Sequence, residues 1–245
     1  MTPATTLHAR HTAGFEDRLA HTRALLVESV QQHAGHIVQA SSLGAEDMVV
    51  TDLIADQGLD IALATLDTGL LHDETLALLT RVEARYGRSV QRFRPEAVAV
   101  LNFVGRHGEG AMFQSVPLRQ ACCALRKLEP LQRLLQGRSA WVTGLRRAQS
   151  DGRSQMQSVE PDSDGRQKIN PLADWSWHDV WHYIASRHVP YNRLHDQFHP
   201  SIGCAPCTRA VSPGEDARAG RWWWEQNTAK ECGLHPAPTA QESPA

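Results

Sequence analysis

Short apolar runs alternate along this chain with stretches of helical periodicity, and the connections between them are brief, a pattern that restricts the fold more than any other feature. From Phe15 to Gln32 apolar residues recur at Leu19, Leu25, Leu26 and Val30, which predicts an amphipathic helix, and His36-Ile37-Val38-Gln39-Ala40 then reads as a strand. A turn at Ser41-Ser42-Leu43-Gly44 leads to a helix through Met48, Val49, Leu53 and Ile54. Ile61 to Leu66 is predicted as a second strand, His72 to Tyr86 as a helix, and Ser89 to Phe93 as a third strand. Cys122 to Leu135 reads as helical, Ala140 to Thr143 as a fourth strand, and Trp177 to Ser186 as a further helix. The polar, glycine-interrupted stretch Ser150 to Lys168 reads as a hairpin or surface excursion. Such alternation predicts an α/β fold, a mostly parallel sheet flanked by helices.

At 245 residues the chain can build one sizeable core, and no Pro/Gly/Ser-rich linker divides it into comparable halves. One domain is expected over residues 1–235, followed by a disordered tail over 236–245, where Pro-Ala-Pro-Thr-Ala-Gln-Glu-Ser-Pro-Ala has no large apolar side chains to pack. Met1 to Arg23 mixes charged and apolar residues, so it has neither a signal peptide's apolar centre nor a membrane span, and a cytoplasmic protein is expected. The net charge of −2 argues against a nucleic-acid track but is compatible with a small anionic ligand held by clustered cations.

In open parallel sheets ligands bind at the carboxyl ends of strands, where the next helix presents its backbone amides. Ser41 to Asp47 follows the first strand, and its two hydroxyls and Gly44 could surround a phosphate or sulfate. The plainer reading is a helix start, with Ser42 as cap and Glu46 and Asp47 offsetting the dipole. Leu66-Asp67-Thr68-Gly69, after the second strand, is a second such loop, or a simple turn.

The five cysteines carry more. Cys122 and Cys123 are adjacent, and Cys204-Ala205-Pro206-Cys207 follows later, so two pairs of soft ligands could hold one metal centre. Neighbours on a helix point about 100° apart, which suits a bulky cluster better than one small ion, and zinc sites prefer wider spacing in both halves. Iron-sulfur therefore leads zinc, while either pair alone could be buried hydrophobes or a redox disulfide. Cys232, in Lys230-Glu231-Cys232-Gly233-Leu234-His235, is left without a partner. Lys230 and His235 would stabilise its thiolate, which points to a nucleophile. Lys127, Arg146-Arg147, Arg209, Arg218 and Arg221 complete the inventory as surface charges singly or an anion site together. His178-Asp179-Val180-Trp181-His182 has the histidine spacing of a zinc-protease helix, but with aspartate where the glutamate base belongs. Packing of Trp177, Trp181 and Tyr183 on the core is the better reading of that helix.

With these motifs in order, the chain resembles the assimilatory adenylyl-sulfate reductases, relatives of the phosphoadenylyl-sulfate reductases. The resemblance rests on Cys122-Cys123-x3-Lys127, Gly144-Leu145-Arg146-Arg147-x-Gln149-Ser150, Gly203-Cys204-x2-Cys207-Thr208-Arg209, Gly220-Arg221-Trp222-Trp223-Trp224-Glu225 and Lys230 to His235. It implies an adenine nucleotide α-hydrolase-like fold with a C-terminal cysteine-bearing tail, and a four-iron four-sulfur (4Fe-4S) cluster on Cys122, Cys123, Cys204 and Cys207. It implies Cys232 as the catalytic nucleophile with His235 in support, and Ser41, Ser42, Gly44, Lys127, Arg146, Arg218 and Arg221 as substrate-binding residues. The implied reaction converts adenylyl sulfate to sulfite and AMP through an S-sulfocysteine, with thioredoxin or glutaredoxin as electron donor. The chain has no further unassigned cysteine, which fits an external dithiol. Leu70 stands where the family usually has arginine after Leu-Asp-Thr-Gly, and His72 is a nearby candidate to replace it. Phosphoadenylyl sulfate or both nucleotides as substrate, an ATP-pyrophosphatase-type enzyme, and a non-catalytic metal-binding module remain the alternatives, and a homo-oligomer is compatible with any of them.

Overall fold

Ile37-Val38-Gln39-Ala40-Ser41 is buried almost throughout, as a strand covered on both faces must be, and it occupies the middle of the sheet. The computed structural model describes residues 2–225, so Cys232, His235 and the tail 236–245 lie outside the described residues. Six strands, β1 (Ile37–Ser41), β2 (Ala62–Leu66), β3 (Val90–Phe93), β4 (Ala140–Val142), β5 (Val159–Pro161) and β6 (Gln167–Ile169), lie in the order β3-β2-β1-β4-β6-β5. Every pair is parallel except β5 with β6. Among the described residues no helix is long and apolar enough to cross a membrane.

Adjacent residues on a strand point to opposite faces, and Ile37 and Val38 accordingly enter different cores. On one face α2 (Phe15–Gln32), α3 (Ala45–Asp56), α4 (Asp73–Tyr86) and α9 (Trp177–Arg187) pack around Leu26, Leu53, Leu78 and Trp181. On the other, Val38, Ala64 and Trp141 meet Leu131, Leu134 and Leu135 of α8 (Glu129–Leu135). Asp52 ties the first face together from α3: its carboxylate accepts the Tyr86 hydroxyl at 2.9 Å and the Tyr183 hydroxyl at 2.8 Å.

Three segments differ from the sequence reading. The helix expected over Cys122 to Leu135 begins earlier, as α7 (Val116–Cys123), and passes through a π turn at Ala124–Leu128 before α8. Two helices between β3 and α7, α5 (Ala97–His107) and α6 (Ala111–Gln114), were not anticipated. The stretch taken as a hairpin or excursion is a hairpin of β5 and β6, but β6 pairs with β4 and so extends the main sheet. Its polar residues tolerate this because Lys168, opposite Glu160 in the register, donates to that carboxylate at 2.9 Å.

Gly144, just after β4, permits a close approach of that loop to the start of α3. A Cβ there would stand 2.7 Å from the backbone nitrogen of Asp47 and 2.9 Å from the carbonyl carbon of Glu46. Gly144→Ala therefore forces backbone to move, and a loss of about 1–3 kcal/mol is expected in urea denaturation. Tyr183→Phe deprives the Asp52 carboxylate of one donor and should cost about 1.5–3 kcal/mol by the same measurement.

Candidate active site

Because β1, β2 and β4 run parallel, the loops that leave them emerge on one edge of the sheet, and there they enclose a cavity of about 460 Å³. The first loop is held by its own hydroxyls. Ser41 Oγ accepts from the Leu43 amide at 3.1 Å, while the Ser42 amide and Oγ donate to Asp47 Oδ2 at 2.7 and 2.6 Å. Gly44, rather than Ser42, is the residue that caps α3, and Ser42 instead anchors the loop to Asp47. Burial pushes the Asp47 carboxyl up to about 6, against the pull of the Ser42 hydrogen bonds. Leu43 is buried with φ +60, a left-handed backbone that turns the chain from β1 into α3.

The loop after β4 supplies an ion pair that is largely shielded from solvent. Arg146 donates through Nε and Nη2 to Glu46 Oε1 at 3.0 and 2.8 Å, and Gln149 donates to the same oxygen at 2.9 Å. Burial raises the Glu46 carboxyl, but Arg146 and Gln149 outweigh it and the net shift is downward, so Glu46 is ionised and compensates Arg146. The guanidinium also lies 5.4 Å from the Trp177 ring centre.

Lys127, Arg218 and Arg221 line the same cavity. Arg221 is 7 % exposed and donates to the Cys207 carbonyl and to Ser201 Oγ, each at 3.3 Å. Gly203 makes room for it, since a Cβ at that position would stand 2.6 Å from Arg221 Cζ. The substrate-binding candidates Ser41, Ser42, Gly44, Lys127, Arg146, Arg218 and Arg221, scattered through the sequence, thus share one cavity.

The four paired cysteines meet beside it. Cys122 and Cys123 end α7, Cys204 precedes and Cys207 ends a short turn at Ala205–Cys207, and all four are buried and free of disulfides. They line one small cavity together with Arg119, Arg126 and Lys127. The loop after β2 braces them. Cys204 Sγ donates to Thr68 Oγ1 at 3.3 Å, Arg126 donates to the Thr68 carbonyl at 2.7 Å, and the Ala205 amide donates to the Leu70 carbonyl at 2.7 Å. Burial, with Cys204 and Cys123 adding to it, pushes the Cys207 thiol up to about 12 although Lys127 and Arg221 pull it down. Among the described residues no group of three or more His, Cys, Asp or Glu side chains is spaced to hold a metal ion as it stands. The donor chemistry nonetheless fits a polynuclear iron-sulfur group: four soft thiolates would carry more charge than their surroundings tolerate unless cations such as Arg126 and Lys127 offset it.

Lys127, Cys204 and Trp222 line both cavities, so the two sites share a wall. Two guanidinium groups lie over the Trp222 ring, that of Arg119 at 4.7 Å from its centre and that of Arg221 at 4.6 Å. Arg119 is in turn paired with Glu225 at 2.7 Å, both side chains being buried. The sequence reading missed Arg119 and Arg126, although their positions one turn before and after the cysteines were a usable signal. It also missed the role of Glu46 and Gln149, for which nothing local in the sequence points inward.

Leu70 packs against the cysteine cavity, and neither it nor His72 lines the larger one. The protease-like pattern dissolves in the structure. Ser176 caps α9 and Asp179 completes the capping box by accepting from the Ser176 amide at 2.8 Å, His178 contacts the His8 carbonyl at 2.8 Å, and His182 packs edge-on against Phe15. Trp181 and Tyr183 are buried in the core as expected.

Comparison with known proteins agrees with this architecture. Residues 36–210 match the phosphoadenosine phosphosulfate reductase domain family. An adenosine 5′-phosphosulfate reductase of Allochromatium vinosum is 53% identical over 221 residues, 90% of this chain and 86% of that protein. The crystal structure of phosphoadenylyl-sulfate reductase from Candida auris, a phosphate complex, superposes with a TM-score of 0.67 at 26% identity, covering 83% of this chain and 100% of the other. FMN adenylyltransferase of Candida glabrata, at 14% identity and a TM-score of 0.57 over 93% of this chain and 79% of its own, shares the fold alone. The chain belongs to the phosphoadenosine phosphosulfate reductase family.

Proposed function

We propose that this protein reduces adenylyl sulfate to sulfite and AMP, using a dithiol protein of the thioredoxin class, in the cytoplasmic assimilation of sulfate. One observation carries the reading: a nucleotide-sized cavity at the strand ends, walled by Lys127, Arg218 and Arg221, abuts a cavity lined by four buried cysteines. The names borne by relatives such as that of Allochromatium vinosum support the same reaction.

In this mechanism the phosphosulfate lies against Lys127, Arg218 and Arg221, with the hydroxyls of Ser41 and Ser42 and the start of α3 on the phosphate side. Arg146, whose charge is compensated by Glu46, shapes the wall rather than adding net positive charge. The Cys232 thiolate attacks the sulfur of adenylyl sulfate, the S–O bond to the phosphate breaks, and AMP leaves with the electron pair. Fixed cations lower the barrier to an anion attacking an anion, single donors in such sites being worth roughly 3 kcal/mol. His235 supports the thiolate form. A thiolate of the external dithiol then attacks Cys232 Sγ and sulfite departs. The second thiol resolves the mixed disulfide, so two electrons pass from the dithiol to the sulfur. Cys122, Cys123, Cys204 and Cys207 would hold a 4Fe-4S cluster, which when bound supplies structural order and fixed charge beside Lys127. The dithiol supplies both electrons, so this scheme needs no change in cluster oxidation state.

Two experiments test this. Intact-protein mass spectrometry after anaerobic mixing with adenylyl sulfate and no reductant should show the gain of one sulfo group, absent in Cys232→Ser. No adduct on a protein that retains its iron would refute the covalent step. In Lys127→Ala, bound iron and sulfide should stay at the parent level while kcat/KM falls by about two orders of magnitude. Unchanged kinetics would remove Lys127 from the sulfate site, and parallel assays with phosphoadenylyl sulfate would reveal a broader substrate range.

A further inference from the structure

Asp67, the residue after β2, is buried, yet its carboxylate is paired with an arginine that stands mostly in solvent. That arginine is Arg94, the residue after β3, which donates through Nε to Asp67 Oδ2 at 2.8 Å and holds its Nη2 at the same distance. The two backbones are fixed as well. The Asp67 amide donates to the Phe93 carbonyl at 2.9 Å, and the Arg94 carbonyl accepts from Arg133 of α8. The other carboxylate oxygen, Asp67 Oδ1, accepts the Gly69 amide at 3.2 Å and closes a turn in which Gly69 takes a left-handed φ of +71.

The turn over residues 67–70 is fastened to the segments that carry both cysteine pairs. Arg126, in the π turn directly after Cys123, donates to the Thr68 carbonyl at 2.7 Å. On the side of the second pair, Cys204 Sγ meets Thr68 Oγ1 at 3.3 Å and the Ala205 amide donates to the Leu70 carbonyl at 2.7 Å. The direction of these three bonds depends on the shape of the turn, and that shape depends on an ionised Asp67 holding the Gly69 amide. A buried carboxylate that lost its cation would be stranded, and the turn around it would relax toward water. Groups outside the ligands that orient them are a common source of metal-site stability.

On the cluster reading given above, we propose that Arg94 is a positioning residue for the iron-sulfur site, which acts through Asp67 to fix the turn that braces both cysteine pairs. Arg94 lines neither cavity. Its effect therefore reaches the cysteines by way of Asp67, Thr68 and Leu70, and not by a field of its own at the site.

The test follows the visible absorbance of the cluster and the protein-bound iron after anaerobically purified full-length protein is mixed with an iron chelator. Arg94→Ala should lose the cluster about three- to tenfold faster than the parent protein. Arg92→Ala, which removes a nearby β3 arginine paired with Glu83 at 3.6 Å, should lose it at the parent rate. Arg94→Lys, which keeps the charge, should recover part of the difference. Asp67→Asn should reproduce the acceleration, and adding Arg94→Ala to it should accelerate the loss no further, because both substitutions break one interaction. A parent rate in Arg94→Ala, equal acceleration in Arg92→Ala, no recovery in Arg94→Lys, or additive effects at positions 67 and 94 would overturn the role of Arg94. A parent protein that holds no iron or sulfide would instead overturn the cluster reading.

Discussion

The carboxyl edge of the sheet depends on how closely the loop after β4 approaches the start of α3, where Gly144 lies against the backbone of Glu46 and Asp47. Any side chain at Gly144 would push these two elements apart. At that distance Asp47 can hold the Ser41–Gly44 loop through Ser42, and Glu46 can reach across to Arg146 and Gln149. Leu43 takes a left-handed backbone to complete the turn, a cost of order 1 kcal/mol that burial of its side chain offsets. The Glu46–Arg146 pair is largely shielded from solvent, so neither charge can be removed without stranding the other.

A second constraint is the accumulation of positive charge around the cysteines and the adjoining cavity. Arg119, Arg126, Lys127 and Arg221 lie in a region of low exposure, where Coulomb interactions are weakly screened. The guanidinium groups of Arg119 and Arg221 both lie over the Trp222 ring, and Glu225 neutralises Arg119. Lys127 lies on the wall common to both cavities, and Arg221 lines the larger one. The π turn that follows Cys123 lies where Arg126 and Lys127 leave the regular helical path, one reaching the loop after β2 and the other lining both sites. Such turns interrupt the helical ladder and are frequent at functional sites.

Much of the fold was legible because its signals are local. The helix over Phe15–Gln32 and the strands at Ile37–Ser41 and Val90–Phe93 follow from apolar periodicity, which each segment carries by itself. α5 escaped because none of its residues is buried, so its apolar residues do not mark a core-facing stripe. The hairpin at 159–169 was legible as a hairpin but not as part of the main sheet, since pairing of β6 with β4 depends on a register that no local pattern encodes. The cysteine pairs and the glycine- and arginine-bearing motifs marked the site residues individually.

The sequence by itself determined the alternating elements, the chemical inventory and the family, because these rest on short-range periodicity and on side-chain identity at fixed spacing. Only the tertiary structure decided which charges stand exposed to a ligand and which compensate one another. It placed Arg146 on Glu46 and Arg119 on Glu225, and set Lys127 on the wall between two cavities. Those outcomes depend on contacts between residues about a hundred positions apart, such as Glu46 with Arg146 and Arg119 with Glu225. Such distances close only when parallel strands bring their ends to one edge of the sheet.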